Sequence, residues 1–475
     1  MLGIDGVPIG LITDLAARGV MPRTRELFEE RPPERMMVPL PEISSVSWTS
    51  FMTGANPGEH GIFGFTDLAP GSYRVVFPGF PDVRVRTIWD RIGDAGIVSV
   101  VLNQPATYPA RAIRGTLVSG FVAPELRRSV HPPRHLRDLE AAGYRIDVDT
   151  IRGREDHDFL FRDLAATLAA RERAVEYFWD REDWGFFEVV VTGTDRLQHF
   201  LWHALADPSH PRHEACLDYY RQVDGFVGRM VDRYARRTGG APGRTARDAA
   251  GSAAGAPAGG FFMLSDHGFT GIRQEFNLNA WLRQEGYLLF GAGDPASLDD
   301  LRDGTRAFAL DPGRIYIHRR DRFPRGRVSA AEAPAVAREI TAKLAALRFE
   351  GDRVVAAVHP AASIYSGPET ASGPDLVVLT ERGFDVKSKP AAKTLFGRTA
   401  LTGMHTWDDA FLWRSDAPES ATEPPGGDGR AITDIAPVIL RAMGLNRPVR
   451  LQPRPGATPS GTTSPAFRDT EGNSG

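Results

Sequence analysis

Four places in the 475-residue sequence set carboxylates or imidazoles directly behind short apolar runs, which is where ligands bind in open α/β sheets. The first is Asp5, after Leu2-Gly3-Ile4; by itself, an Asp-Gly pair behind a strand reads as a turn. The second is Thr192-Gly193-Thr194-Asp195-Arg196-Leu197-Gln198-His199, entered from the apolar run Phe186 to Val191. Asp195 and His199 stand four apart, so a helix puts both on one face. A carboxylate and an imidazole converging there suit a divalent metal; the competing reading is an N-capping aspartate followed by an ordinary helical histidine. His203 continues the same face, either supporting the site or lying at the surface. The third is Ser265-Asp266-His267-Gly268, behind Phe261 to Leu264. Burying both polar groups at a strand end without partners is costly, which favours a metal site over a structural turn, and the glycine lets the backbone turn sharply. The fourth, Gly403-Met404-His405, says little alone.

Between Asp5 and Asp195 lies a segment rich in hydroxyls, Pro41-Glu42-Ile43-Ser44-Ser45-Val46-Ser47-Trp48-Thr49-Ser50, continuing through Thr53-Gly54 to Pro57-Gly58-Glu59-His60-Gly61-Ile62. Its spacing predicts a helix that opens at the serines and ends near Thr53-Gly54. A nucleophile at a helix N-terminus faces free N–H groups and a favourable dipole, as an incoming phosphate requires. The plainer alternative is a capping serine ahead of a packed helix.

The elements that must position these groups alternate between short apolar runs and helical patterns, which argues for βαβ units and an α/β fold with a largely parallel sheet flanked by helices. Strands are expected at Ile97 to Leu102, Phe186 to Val191, Phe261 to Leu264, Leu376 to Leu379 and Phe411 to Trp413. Leu217, Tyr220, Val223, Val227, Met230 and Tyr234 recur at helical spacing, as do Val336, Ile340, Leu344 and Leu347 behind the capping pair Ser329 and Glu332. A late helix runs from Ile432 to Met443. The core is expected over 1–299 and 396–450, with a smaller inserted lobe over 300–395 that covers the site. Residues 238–260 read as a flexible insertion and 451–475 as a disordered tail.

Composition excludes little but bounds the rest. A hydrophobic share of 42% supports a buried core, and a net charge of -3 points to neither nucleic acid nor a membrane surface. Cys216 is the only cysteine, so an intramolecular disulfide and a thiolate metal cluster are ruled out. No apolar run reaches spanning length and no secretory signal precedes the first motif, which makes a cytoplasmic protein the expectation. Met1 to Gly6 reads as a strand cut short at its beginning; an upstream start would reopen that expectation.

Taken in order, Asp, then Pro-x-x-Ser…Thr-Gly…Pro-x-x-His-Gly-Ile, then Asp-x-x-x-His, then Ser-Asp-His-Gly, then Gly-x-His resembles the alkaline phosphatase superfamily. Within it the pattern is most similar to the type I phosphodiesterase/nucleotide pyrophosphatase branch, and more narrowly to its bacterial and archaeal predicted phosphohydrolases or phosphomutases. Asn277-Leu278-Asn279-Ala280-Trp281-Leu282, Pro374-Asp375-Leu376-Val377-Val378 and Asp434-Ile435-Ala436-Pro437 fit that group, and the resemblance spans roughly residues 1–450. It implies one metal held by Asp5, Ser44, Asp266 and His267, and a second held by Asp195, His199 and His405. It aligns Ser44 with the Ser/Thr nucleophile, with Ser45 and Ser47 as competing hydroxyls. Ser47 falls where nucleotide pyrophosphatases carry an asparagine that contacts phosphate. A serine still donates one hydrogen bond to substrate, but the departure counts against nucleotide pyrophosphatase activity. His60 is expected to be structural, in its His-Gly turn.

The activity so implied is metal-dependent phosphoric ester hydrolysis of a small phosphorylated substrate through a phosphoseryl intermediate, with zinc the first expectation for both divalent ions and manganese the next. A phosphomutase would use the same site. A sulfatase is disfavoured because the Ser44 segment lacks the Cys/Ser-x-Pro-x-Arg context. A binding protein on the same scaffold would be expected to have lost ligands, and none of the positions is substituted.

Overall fold

The computed structural model describes residues 1–239, 259–291, 295, 297–398, 400–415 and 429–445. The expected tail at 451–475 and all but the ends of the expected insertion at 238–260 lie outside the described residues. The centre is a nine-stranded sheet. In chain order its strands are β1 (Leu2–Ile4), β2 (Glu34–Met37), β3 (Ser99–Gln104), β4 (Gly115–Ser119), β5 (Val130–His131), β6 (Phe186–Val191) and β7 (Phe262–Leu264). After β8 (Gly268–Gly271) and β9 (Gly403–Thr406), which pair with each other outside this sheet, come β10 (Ala410–Arg414) and β11 (Arg430–Ala431). The spatial order is β11-β2-β10-β7-β1-β6-β3-β4-β5. The run β7-β1-β6-β3-β4 is parallel, while β10 and β5 pair antiparallel at its two flanks.

Burial on both faces explains why these strands read as continuous apolar runs rather than alternating ones. All six residues of β6, Phe-Phe-Glu-Val-Val-Val, are buried. The exception in type, Glu188, accepts a hydrogen bond from Trp89 Nε1 at 3.0 Å. The helices that cover the sheet include α1 (Ser44–Thr53), α2 (His157–Trp179), α3 (Gly193–Ala206), α4 (His213–Thr238) and α5 (Ile435–Ala442). Every residue of α1 is buried, and Gly54 ends it in the left-handed region at φ 66°. Helix α1 lies so close to β1 that a Cβ on Gly3 would sit 2.5 Å from the Trp48 ring; glycine is what permits that approach.

Two ties fix α3 on β1. Thr194 Oγ1 donates to the Asp5 carbonyl at 2.6 Å, and Gln198 Nε2 donates to the Gly6 carbonyl at 2.9 Å. The first helical turns of the Asp195 motif are thereby locked to the strand that carries Asp5.

Between β8 and β9 the chain builds a second apolar cluster, from Phe276 to Val386, which Tyr73 joins from the first part of the chain. This stretch holds the sheet of Ala307–Leu310, Arg314–Ile317, Leu376–Thr380 and Val355–Pro360, and the helix Ala333–Ala345. Ser329 and Glu332 do exchange hydrogen bonds ahead of that helix. The strand β10 contains the expected Phe411 to Trp413 but runs antiparallel to β7, which apolar patterning alone cannot reveal.

Candidate active site

The ends of β1, β6 and β7 deliver Asp5, the Asp195 motif and Asp266-His267 to one point, and the N-terminus of α1 brings Ser44 to it. His405 arrives from β9, where it pairs with Phe269 of β8. The seven positions implied as metal ligands therefore meet. Ser44, Asp5, Asp195, Asp266 and His267 are all buried. Asp195 is not the N-cap of its helix, because that position is Thr192.

Ser44 Oγ lies 3.1 Å from His267 Nε2. The same nitrogen is 3.3 Å from Asp266 Oδ2, 3.8 Å from Asp5 Oδ1 and 3.9 Å from Asp195 Oδ1. On the other side, Asp195 Oδ1 stands 3.2 Å from His405 Nε2 and 3.4 Å from His199 Nε2. Two groups with metal-ligand spacing result: Asp195, His199 and His405, and Asp5, Asp195 and His267. Asp195 belongs to both, so its Oδ1 faces each half of the cluster.

The hydrogen bonds around the cluster decide what it can hold. Each imidazole uses Nδ1 on a backbone carbonyl: His199 on Gly403 at 3.0 Å, His405 on Glu42 at 2.8 Å and His267 on Gly268 at 3.0 Å. A carbonyl only accepts, so each Nδ1 carries the proton and each neutral ring turns an Nε2 lone pair inward. His199 and His405 then point lone pairs at each other across 3.0 Å. Among the described residues, no N–H or hydroxyl donor reaches the buried Asp5 Oδ1 or Asp266 Oδ2. Converging lone pairs and orphaned carboxylate oxygens are unfavourable by themselves and fit divalent cations; imidazoles oriented by carbonyls on the far nitrogen are the usual support of such ligands. The remaining carboxylate oxygens are oriented by the protein: Trp48 Nε1 donates to Asp5 Oδ2 at 3.0 Å and the Gly6 amide to Asp266 Oδ1 at 3.0 Å.

Burial and mutual repulsion shape the acidities. Burial, then the neighbouring Asp266 and Asp195, holds the Asp5 carboxyl well above the usual range. Burial also pushes Asp266 up to about 7. Burial alone would raise Asp195 too, but His199, Arg196 and His405 together hold it well below the ordinary value. Burial lowers His199 and His267 to about 4.

In the metal-free protein the raised Asp266 withdraws stability as pH rises from the ordinary carboxylate value to about 7. The lowered histidines withdraw it as pH falls from about 6.5 to about 4. An entering cation therefore competes with carboxyl protons first. Its apparent affinity is expected to fall about tenfold per pH unit below pH 7 for each carboxyl proton displaced, with no added slope from His199 or His267 until pH nears 4. Thermal-shift titrations with Zn²⁺ or Mn²⁺ between about pH 8 and about pH 5 check this; a metal-induced rise in Tm that stays flat across that range would contradict it.

Ser45 and Ser47 are buried on the first turn of α1, and neither hydroxyl has a hydrogen-bond partner among the described residues. His60 is structural: it is fully buried, pairs with Ser50 Oγ at 3.0 Å and accepts from the Ile62 amide at 3.1 Å. His203 is exposed and packs edge-on against His210. The sequence reading missed Trp48, although it stands four after Ser44 in the quoted segment and so shares its helical face. It also missed Phe269, whose ring touches all three site histidines. A cleft of about 320 Å³ opens beside His405, between Glu42 and the lobe residues Leu379 to Arg382.

A profile described as type I phosphodiesterase / nucleotide pyrophosphatase matches residues 1–408. Among solved structures, phosphonoacetate hydrolase from Sinorhizobium meliloti 1021 superposes with a TM-score of 0.58 at 14% identity, covering 93% of this chain and 94% of that one. Wild-type alkaline phosphatase PafA gives 0.52 at 13% identity, over 93% and 95% of the two chains. Murine ectonucleotide pyrophosphatase / phosphodiesterase 5 gives 0.51 at 11% identity, over 95% and 96%. At these identities the likeness is one of fold. No curated protein matches the sequence significantly. Among the described residues, no helix is long and apolar enough to cross a membrane.

Proposed function

Given that the chain belongs to the type I phosphodiesterase / nucleotide pyrophosphatase family of phosphoric ester hydrolases, we propose that Ser44 is its nucleophile and that phosphorus is the atom it attacks. The observation that carries this reading is the position of Ser44: it begins a buried helix, 3.1 Å from His267, beside buried carboxylate oxygens that have no other partner. Asp5, Ser44, Asp266 and His267 would hold one divalent cation, and Asp195, His199 and His405 the other. Bound there, such cations supply Lewis acidity and offset the charge on the phosphoryl oxygens. Zinc suits the mixed carboxylate and imidazole donors first, and manganese next.

The chain's own residues do the rest. Helix α1 carries no side-chain cap and no acidic residue in its first turn, so its leading amides and dipole favour an anion beside Ser44. In-line attack by Ser44 Oγ forms an O–P bond and breaks the bond to the leaving oxygen, which departs as the alcohol. Water then cleaves the phosphoseryl ester, returning the serine hydroxyl and releasing the phosphate product. Were a second hydroxyl of the same molecule to attack instead, the enzyme would be a mutase. The fit of the site is to a small phosphorylated substrate, with the lobe-side cleft at His405 as the surface that selects it.

The test is a panel of phosphodiesters, phosphomonoesters, phosphonates and sugar phosphates, assayed with Zn²⁺ and with Mn²⁺ alongside metal analysis. The expected result is two metal equivalents per chain and release of an alcohol from at least one ester class. Metal uptake without turnover of any compound would instead mark a binding protein. A moved rather than released phosphate would assign a mutase. A protein that takes up no metal would refute the two-metal site.

A further inference from the structure

Arg196 follows Asp195 directly on α3, and adjacent helical residues do not ordinarily face each other. Yet Arg196 Nη1 donates to Asp195 Oδ2 at 2.6 Å. The guanidinium is turned back by a second carboxylate: Arg196 Nε and Nη2 donate to Asp147 Oδ2 at 2.9 and 2.8 Å. Asp147 is itself anchored, since its Oδ1 accepts from the Val148 amide at 2.9 Å and from Thr192 Oγ1 at 3.3 Å. The stretch before it is pinned by the buried Arg171, whose Nη2 donates to the carbonyls of Arg145 and Ile146 at 3.1 and 3.0 Å. The ring of Phe121 closes one face of the guanidinium at 4.1 Å. Arg196 is only 9% exposed, and both its N–H edges are committed to carboxylates.

The two oxygens of Asp195 are thereby given separate tasks. Oδ2 is held by Arg196, and Oδ1 is left facing His405, His199 and His267. We infer that Arg196 and Asp147 form a positioning pair that presents Asp195 to the metal-binding donors through Oδ1 alone. The guanidinium does not touch the reacting atoms; it acts through Asp195. This inference rests on the proposed two-metal site and assigns it a support that neither the family profile nor the motif order names. A carboxylate with a free rotor could chelate one ion through both oxygens or swing between the two halves of the cluster; one gripped at Oδ2 cannot.

The test uses the full chain with Arg196→Gln, Asp147→Asn and the double variant. Thermal unfolding of the metal-free proteins first establishes that each is folded. Chelator-competition titration with Zn²⁺ and Mn²⁺ then resolves the two binding steps. Arg196→Gln is expected to weaken the step assigned to Asp195, His199 and His405 about 10- to 100-fold and the other step by less. Asp147→Asn should weaken the same step by less, and the double variant should be no worse than Arg196→Gln, because the two residues act in series. Parental affinities in both steps of a folded variant, equal weakening of both steps, or additive losses would overturn the assignment. Crystal structures of the metal-free variants give a second arm: the Asp195 carboxylate should rotate away from His199 and His405, and a parental orientation would refute the pair. That arm decides even if the parental protein takes up no metal, in which case the two-metal reading fails separately. If Arg196→Gln does not fold, Asp147→Asn carries both arms.

Discussion

Alanine at position 44 is expected to lower turnover of the best ester substrate by on the order of 10³-fold or more, because only binding and electrostatic contributions survive loss of a nucleophile. The fold should persist. Among the described residues Ser44 Oγ has His267 as its one hydrogen-bond partner, and losing such a bond changes stability by about 0.5–1.5 kcal/mol. The measurement is steady-state kinetics with metal content determined on the same preparation, so that lost chemistry is separated from lost metal. Because Ser44 is also a proposed metal ligand, single-turnover trapping of a phosphorylated protein, present in the parent and absent in Ser44→Ala, tests the nucleophile role directly. Ser45→Ala serves as the control, its hydroxyl lying on the same helical turn without a hydrogen-bond partner among the described residues, and Ser47→Ala, at the expected substrate contact, as the comparison. Unchanged turnover in Ser44→Ala would move the nucleophile to one of them.

Asp266→Asn should have the next largest effect, and with an unusual signature. The Gly6 amide can still donate to the Asn carbonyl oxygen, as it does to Asp266 Oδ1, so the turn is kept while the free anionic oxygen is lost. One metal equivalent should be lost, and with it several kcal/mol of charge stabilisation, on the order of 10³-fold in turnover. Stability should move the other way. Burial pushes the Asp266 carboxyl up to about 7, so above that pH the metal-free parent holds a buried anion in its fold. The neutral amide removes that burden, and the metal-free variant should unfold at a higher Tm than the metal-free parent at about pH 8, with the difference shrinking as pH falls. Two metal equivalents with parental turnover in Asp266→Asn would contradict the ligand assignment.

How far the sequence could be read depended on the range of the interactions. Phe186 to Val191 was legible to its ends because a strand buried on both faces is a local apolar signal. The Asp-His pair behind Phe261 to Leu264 was legible for a related reason, since polar groups buried at a strand end are stable only with a strong partner such as a cation. Asp5 and His405 needed the order of the whole pattern, as nothing within a few residues of either marks it. Asp147 had no signal at all: it meets Arg196 across 49 residues of sequence, and an isolated aspartate in a loop looks like any other. The carbonyls of Glu42 and Gly403 that orient two of the histidines are backbone groups, which any residue type supplies. Strand direction was equally hidden, so β10 reads the same whether it enters the sheet parallel or antiparallel.

The pairing of β8 with β9 has a consequence for the life of the nascent polypeptide. Six of the seven converging residues precede β8, whereas His405 comes after the entire lobe and reaches the centre only when β9 aligns with β8. A ribosome-bound chain that has emerged no further than the lobe already holds Asp5, Ser44, Asp195, His199, Asp266 and His267, but lacks the imidazole opposite His199. A chain that stopped before residue 405 would therefore present six of the seven converging side chains and lack the one that faces His199.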